Sequence, residues 1–123
     1  MDFWQALDLL AAQHELVIDR PAGSAHPRYP DFVYPLDYGY LRGTASGDGN
    51  GIDVWRGSAG TGVAAVMTVV DLLKRDSEIK ILLGCTEAEI ALVNQLHNET
   101  ENMKGLLVRR GGRNEQGGIT HAL

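Results

Sequence analysis

The chain has 123 residues and a mass of 13.4 kDa, which corresponds to one domain of ordinary size. Its 44% hydrophobic and 22% charged residues, with a mean hydropathy of −0.14, are typical of a folded globular protein and exclude disorder over the bulk of the chain. Sixteen acidic against eleven basic residues give a formal net charge of −5. This balance argues against binding to nucleic acid or to an anionic membrane, because both require a basic surface.

Cysteine content and apolar runs predict a soluble protein in the cytoplasm. Cys85 is the single cysteine, so neither an internal disulfide nor a cysteine-rich zinc site can form. It is expected to be a small buried residue rather than a nucleophile. The longest apolar stretch, residues 63–70, is far shorter than the roughly 20 residues that span a bilayer. The first four residues lack the basic segment of a signal peptide.

The first half of the chain is predicted to begin with a helix and to continue as a strand and a long loop. Residues 2–13 carry apolar side chains at helical spacing, and Asp2 can cap their first turn. Residues 16–18 form a short apolar strand. Residues 21–51 contain all four prolines, all four tyrosines and many glycines, which predicts a long irregular segment.

The second half of the chain alternates between strands and one helix. Thr86 with Glu89 forms a capping box, which predicts a helix from there to about residue 98. Apolar and β-branched runs predict the strands 52–56, 62–70, 78–83 and 106–109. We interpret residues 1–110 as one α+β domain, a small barrel with two outer helices, and the glycine-rich residues 111–123 as a flexible tail.

Four aspartates stand at strand boundaries with a repeated spacing. Asp48 and Asp53 are five residues apart, as are Asp71 and Asp76. If they converge at one rim of the barrel, their carboxylates need cations between them, and Mg²⁺ or Mn²⁺ prefers such oxygen ligands. Two ions of this kind can activate water and neutralise a phosphoryl group. The alternative is that they are surface and turn aspartates, since aspartate favours both places.

The tyrosine-rich segment and the aspartates together resemble soluble family I inorganic pyrophosphatase. The sequence Tyr-Pro-Leu-Asp-Tyr-Gly-Tyr at 34–40 is similar to that family's Tyr-Pro-x-x-Tyr-Gly-(Phe/Tyr). Residues 48–53, Asp-Gly-Asn-Gly-Ile-Asp, stand where the family has Asp-x-Asp-Pro-x-Asp. The strand that ends in Asp71, with Asp76 beyond it, is similar to the family's next motif, and residues 21–29 are similar to an upstream Pro-x-Gly-Ser stretch. The resemblance covers residues 15–83.

The resemblance implies a five-stranded, OB-like barrel with flanking helices and Mg²⁺-dependent hydrolysis of pyrophosphate to phosphate. It implies that Tyr38 contacts the substrate, that Arg28 takes the place of a phosphate-binding lysine, and that Asp53 and Asp71 are catalytic together with Tyr38. The metal ligands that it implies are Asp48, Asp53, Asp71 and Asp76. Mn²⁺ could replace Mg²⁺.

The sequence departs from this family at several positions. Asn50 replaces the middle aspartate of the signature, and an amide cannot act as a general base. The metal, Asp71 or Asp48 would then have to assist proton removal from water. Pro30 replaces a glutamate, and Glu78 replaces a lysine. Substitute positive charge could come from Arg42, Lys74, Arg75 and Lys80, or these four could simply be solvated surface residues.

Three functional hypotheses follow from the sequence. The first is a Mg²⁺-dependent pyrophosphatase or a related phosphoanhydride hydrolase. The second is a catalytically weakened module that binds a metal–phosphate ligand or a protein partner. The third is a structural remnant whose aspartates cap turns. Trp55 could line the site or a subunit contact, although core packing is the favoured interpretation. A small barrel with several aromatic residues is also a candidate for self-association.

Overall fold

The computed structural model describes residues 1–47 and 49–111, in which two helices flank a mixed sheet of six strands. In chain order the elements are α1 (Phe3–Ala12), β1 (Leu16–Arg20), β2 (Asp37–Leu41), β3 (Ile52–Arg56), β4 (Val63–Asp71), β5 (Asp76–Leu83), α2 (Glu87–Leu96) and β6 (Met103–Arg109). The spatial order is β1-β2-β3-β5-β4-β6. Neighbouring strands are antiparallel except β3 and β5, which run parallel.

This architecture confirms the α+β class with two helices but not the implied five-stranded barrel. The sheet has six strands, and its two edge strands, β1 and β6, do not pair with each other within the described residues. None of the helices in the described part is long and apolar enough to span a membrane. The predicted tail, beyond residue 111, lies outside the described residues.

Each face of the sheet is covered by one helix, and strand alternation decides which residues face it. Leu7 of α1 packs against Val54 and Ile81, and we call the side of the sheet that carries these two residues the α1 face. Trp55 and Leu82 are one residue further along the same strands and lie on the opposite side of the sheet, under α2. We call this side the α2 face. Both faces are closed by fully buried apolar side chains, so the sheet is the middle layer of the fold.

Strand β2 lies inside the segment that the sequence predicted to be irregular. The pattern Asp-Tyr-Gly-Tyr-Leu lacks an apolar alternation on both sides of Gly39, which explains why it did not indicate a strand. Gly39 is required there because a Cβ atom would collide with the backbone of Val17 and Ile18 on β1. The glycine lets β1 approach β2 closely, next to the irregularity in the pairing of Ile18 and Arg20.

The segment between β1 and β2 folds back over the α2 face and buries aromatic side chains there. Tyr34 is 7% exposed and lies 5.6 Å from Tyr38 and 5.9 Å from Trp55, measured between ring centroids. The backbone N–H of Ala22 donates to Asp37 at the start of β2, which fixes the beginning of this segment. Trp55 is 1% exposed, so it is a core residue rather than a wall of the site.

Both predicted helix caps are present. Asp2 accepts from the backbone N–H of Gln5, whose side chain accepts from the backbone of Asp2 in return. Thr86 and Glu89 form the same reciprocal pair at α2. Glu89 also accepts from the backbone N–H and the hydroxyl of Ser58, so the α2 cap is tied to the loop after β3.

A buried histidine closes the other end of α2. His97, the C-cap residue, is 6% exposed, and its Nε2 accepts a 3.0 Å hydrogen bond from the indole N–H of Trp55. An imidazole that accepts at Nε2 is neutral, with its proton on Nδ1. Nδ1 lies 3.3 Å from the sulfur of Met103 on β6. His97 therefore joins α2, β3 and β6 in its neutral form.

Lowering the pH from about 7.5 to about 5 is expected to destabilise the protein through His97. Burial, assisted by the charge of Lys80, lowers the pKa of His97 to about 4, whereas histidine in an unfolded chain titrates near ~6.5. The unfolded state therefore binds the proton more readily, so the stability is complete above about pH 6.5 and falls as the pH drops toward 4. The expected loss is about 2 kcal/mol in the free energy of unfolding.

Urea unfolding at the two pH values measures this loss. The control is His97→Gln, because glutamine can still accept a hydrogen bond from Trp55 but does not titrate. The variant should show a much smaller difference between the two pH values. Equal losses in both proteins would show that His97 is not responsible.

Candidate functional site

A cleft of about 480 Å³ lies at one end of the α2 face. Its walls come from β1, β2, β3 and β5, the loop before β3 and the turn before β5. The lining residues are Asp19, Tyr38, Tyr40, Asn50, Gly51, Asp53, Lys74, Glu78 and Lys80. Carboxylates, lysines and tyrosines predominate, so the cleft is polar and carries both signs of charge.

The ammonium group of Lys80 is the centre of the cleft floor. It donates to the Tyr38 hydroxyl at 2.8 Å, to Oδ2 of Asp53 at 2.8 Å and to Oε1 of Glu78 at 3.0 Å. An ammonium has three N–H groups, so these three oxygens account for all of them. Lys80 is only 6% exposed, and a buried charge of this kind requires such compensation.

Strand pairing brings these four side chains together. Asp53 on β3 is the register partner of Lys80 on the parallel strand β5. Tyr38 on β2 pairs with Trp55, two residues beyond Asp53 on the same face. Glu78 precedes Lys80 by two residues, and strand alternation therefore places it on the same face.

The charges on the floor do not cancel completely. Burial opposes the charge of Lys80, but the oxygens of Tyr38 and Asp53 outweigh it and raise the pKa, so the ammonium stays protonated. Burial raises the pKa of Glu78, and the attraction of Lys80 opposes this rise. Oε2 of Glu78 is buried and has no hydrogen-bond partner within the part of the chain that the structure describes. The floor thus holds two carboxyl groups against one ammonium.

Tyr38 is a donor or acceptor of hydrogen bonds and not a nucleophile. Burial raises the pKa of its hydroxyl above the ordinary range, more than the opposing effect of Lys80 lowers it. The hydroxyl therefore keeps its proton at neutral pH. The Tyr38 ring also packs against Trp55 in a tilted arrangement, with 4.5 Å between the ring centroids and 56° between the ring planes, and this contact restricts where the hydroxyl can lie.

Of the residues implicated by the sequence, Asp53 and Tyr38 lie together in the cleft, and Asn50 lines its wall. Asp48 lies outside the described residues. Arg28 is exposed in the loop that the Ala25–Val33 bridge closes, and it does not line the cleft.

Asp71 and Asp76 face each other at the far end of the β4–β5 hairpin. Their register puts them on the α2 face, but Asp76 is four residues from Lys80 along β5, about 13 Å at ~3.3 Å per residue. The Asp71 carboxylate accepts from the backbone N–H groups of Leu73 and Lys74, both at 3.0 Å. In this structure Asp71 therefore holds the turn, as the third hypothesis expects of such aspartates.

The described residues do not fit a resident divalent ion. Within residues 1–47 and 49–111 no three His, Cys, Asp or Glu side chains are grouped so that they could hold one. The two carboxyl groups that do come together, Asp53 and Glu78, are already bridged by Lys80. Mg²⁺ as a cofactor, with Mn²⁺ as its substitute, accordingly remains a prediction from the sequence.

Lys80 is one of the four basic residues that the sequence offers as a substitute for the missing phosphate-binding cations, but the sequence analysis does not predict that it is buried. The clue lies in β5, where Leu82 and Leu83 are both apolar, so neither face of this strand is solvated. A lysine in such a strand must be paired inside the protein. Of the other three, Lys74 lines the cleft, and Arg42 pairs with Glu15 outside it at 2.9 Å. Asp19 also lines the cleft but had not been singled out.

Cys85 agrees with its sequence-based interpretation. The side chain is buried, and burial raises the pKa of its thiol to about 12. A thiol that stays protonated at neutral pH is a poor nucleophile.

Comparison with solved structures shows the fold. An inorganic pyrophosphatase from Neisseria gonorrhoeae superposes with a TM-score of 0.59 at 20% identity, over 72% of this chain and 77% of that one. A protein described as an inorganic phosphatase from Anaplasma phagocytophilum superposes with a TM-score of 0.53 at 13% identity, over 76% of this chain and 81% of that one. No protein-family model and no curated protein matches the sequence. The chain therefore has a pyrophosphatase-like fold.

Replacing Asp71 should reveal its part in the turn. Asp71→Ala removes the acceptor for two backbone N–H groups and should lower the free energy of unfolding by about 1 kcal/mol. Asp71→Asn keeps an acceptor oxygen and should be close to wild type. Urea denaturation of both variants measures the difference. If alanine and asparagine behave alike, the hydrogen bonds of the turn contribute nothing measurable.

Proposed function

We propose that the cleft takes the magnesium complex of pyrophosphate, or of a related small phosphoanhydride, and hydrolyses it to phosphate. The observation that carries this proposal is that Asp53, Tyr38 and Asn50 meet in one cleft of a protein with a pyrophosphatase-like fold. In this proposal magnesium enters as part of the substrate. The proposal is compatible with a floor that has no group of ligands for an ion of its own within the described residues.

The charged side chains of the cleft explain why the substrate would be the magnesium complex of pyrophosphate and not the free pyrophosphate anion. Lys80 has no N–H group left for a phosphate, and Asp19 and Asp53 would repel one. Among the described residues that line the cleft, Lys74 is the other cation. A free pyrophosphate would meet more repulsion than attraction, whereas its magnesium complex carries much of the needed positive charge with it.

Each residue of the cleft then has a defined task. Asp53, whose side chain is 25% exposed, can orient an attacking water and accept its proton. Tyr38 keeps its proton and can donate a hydrogen bond to a phosphate oxygen. Lys74 can pair with the outer phosphate. Asn50 can position a water through hydrogen bonds but cannot take its proton.

Roles for Asp71, Asp76 and Arg28 stay part of the proposal although these three residues do not line the cleft, and so does a role for Asp48, which lies outside the described residues. The same holds for self-association of the chain and for its location in the cytoplasm. Activity measurements on variants of these four residues test whether the loops that carry them contribute to substrate binding.

A second candidate is a binding module that takes the same ligand without turning it over. Asn50 stands where a base would be useful, and Lys80 occupies one oxygen of Asp53. Both features weaken proton removal from water while leaving the cleft able to hold a ligand.

Phosphate release from pyrophosphate in the presence of Mg²⁺ is the decisive measurement. Turnover should require the metal and should fall at least about 100-fold in Asp53→Asn, the range expected when a general base is removed. Asparagine is a matched control because its amide oxygen can still accept a hydrogen bond from Lys80. Wild-type activity in the variant would remove Asp53 from the reaction. Absence of turnover, with calorimetric binding of the complex intact, would favour the binding module.

Asn50→Asp should raise turnover, by about tenfold or more if proton transfer limits the rate. The new carboxylate adds a base on the wall of the cleft without changing the size of the side chain. Initial rates of phosphate release at saturating substrate measure the effect. If neither protein releases phosphate, a missing base is not what limits the reaction.

Lys74→Met should weaken binding more than catalysis. Lys74 is exposed and lines the cleft, and its ammonium would pair with substrate in both the ground and the transition state. KM is therefore expected to rise severalfold with kcat nearly unchanged. A fall in kcat with constant KM would instead place Lys74 at the reacting phosphate.

A further inference from the structure

We propose that Lys80 is the resident cation of the cleft: its ammonium takes the place between Asp53 and Glu78 that a divalent ion would occupy. The cleft floor then needs no metal ion of its own, and only metal that arrives with a substrate takes part. This inference concerns the protein without any phosphate ligand, so it stands or falls independently of the proposed function.

The atoms around the ammonium are of the kind that also bind a divalent ion. All three partners of Lys80 are oxygens, two from carboxyl groups and one from the Tyr38 hydroxyl, at 2.8 to 3.0 Å. Oxygen ligands of this kind are the ones that Mg²⁺ and Mn²⁺ select. The same oxygens therefore suit either cation, but one cation excludes the other.

Burial also favours the ammonium over a dissolved ion. The side chain of Lys80 is 7% exposed and that of Glu78 is 8% exposed. An incoming ion would have to expel the ammonium from the site, and within the described residues the ammonium of Lys80 donates only to Tyr38, Asp53 and Glu78. The lysine is held in the site by its own chain and is always present, whereas a dissolved ion must compete for the same oxygens.

The carboxyl groups on the cleft floor outnumber the ammonium group that pairs with them. One ammonium faces two carboxyl groups, and Oε2 of Glu78 is left without a hydrogen-bond partner in the described residues. Without Lys80 the same pocket would present two carboxyl groups and a phenol oxygen with no cation between them. A divalent ion has the charge that this arrangement would then lack. Removing the lysine should therefore create a metal site from residues already in place.

The test replaces Lys80 with methionine, which is unbranched and of comparable length but carries no charge. Manganese alone is the probe, with no phosphate present. Mn²⁺ at millimolar concentration should leave the melting temperature of the wild type unchanged. Lys80→Met should melt lower in a chelator and should regain several degrees with Mn²⁺. Calorimetry should show one ion bound per chain in the variant at least about tenfold more tightly than in the wild type, a difference of about 1.4 kcal/mol.

Two further variants identify the ligands. Adding Asp53→Asn to Lys80→Met should abolish the response to Mn²⁺, because it removes one of the two carboxylates. Lys74→Met is the matched control, since it deletes the other lysine of the cleft and should behave like the wild type toward manganese. A response in Lys74→Met equal to that of Lys80→Met would mean that any loss of positive charge near the cleft attracts the ion.

Two results would overturn the inference. One is a folded Lys80→Met protein that ignores Mn²⁺. The other is saturable Mn²⁺ binding to the wild type that Asp53→Asn abolishes, because the floor would then hold an ion beside the lysine. The second result needs only the wild type and Asp53→Asn, so the inference can be refuted even if Lys80→Met does not fold.

Discussion

The buried hydrogen bonds of Lys80 are the interaction on which the arrangement of the cleft depends. They join β2, β3 and β5 through Tyr38, Asp53 and Glu78. No member of this group can be removed alone without leaving a buried charge or donor uncompensated, and such a loss is far more damaging than the net contribution of the intact group. The four residues should therefore be regarded as one unit. Replacing one of the four residues should therefore destabilise the protein unless another cation or hydrogen-bond partner compensates for the loss.

The sheet order makes this unit possible. Because β3 and β5 are the parallel pair in the middle of an otherwise antiparallel sheet, Asp53 and Lys80 become register partners although 27 positions separate them in sequence. Under the same face, Trp55 donates to the neutral His97, and α2 is thereby fixed to the strand that carries Asp53. The cleft floor and the adjoining core share β3.

Sequence reasoning located the elements well where the pattern was local and failed where it depended on contacts between distant residues. Capping at Asp2 and Thr86 uses residues three positions apart, so both helix starts were predictable. The strand at Gly39 was missed because the reason for its glycine is a neighbouring strand, about 20 positions away in sequence. The spacing of Asp71 and Asp76 suggested a link to Asp53, but a hairpin turn explains where these two lie. The partners of Lys80 are equally non-local, and only the sheet register reveals them.

A lysine in the place of a metal ion changes what the cleft can do. A divalent ion can leave coordination positions open for water or phosphate, whereas an ammonium with three acceptors has no N–H group left to offer. It fixes the carboxylates without offering a binding position to a ligand. In the proposed function, affinity for a phosphate compound therefore comes from Lys74, from hydrogen-bond donors such as Tyr38 and from cations that the compound brings. In this protein the positive charge that faces Asp53 and Glu78 comes from the chain itself. The identity of residue 80 therefore decides whether the cleft floor carries a cation without any ion from solvent.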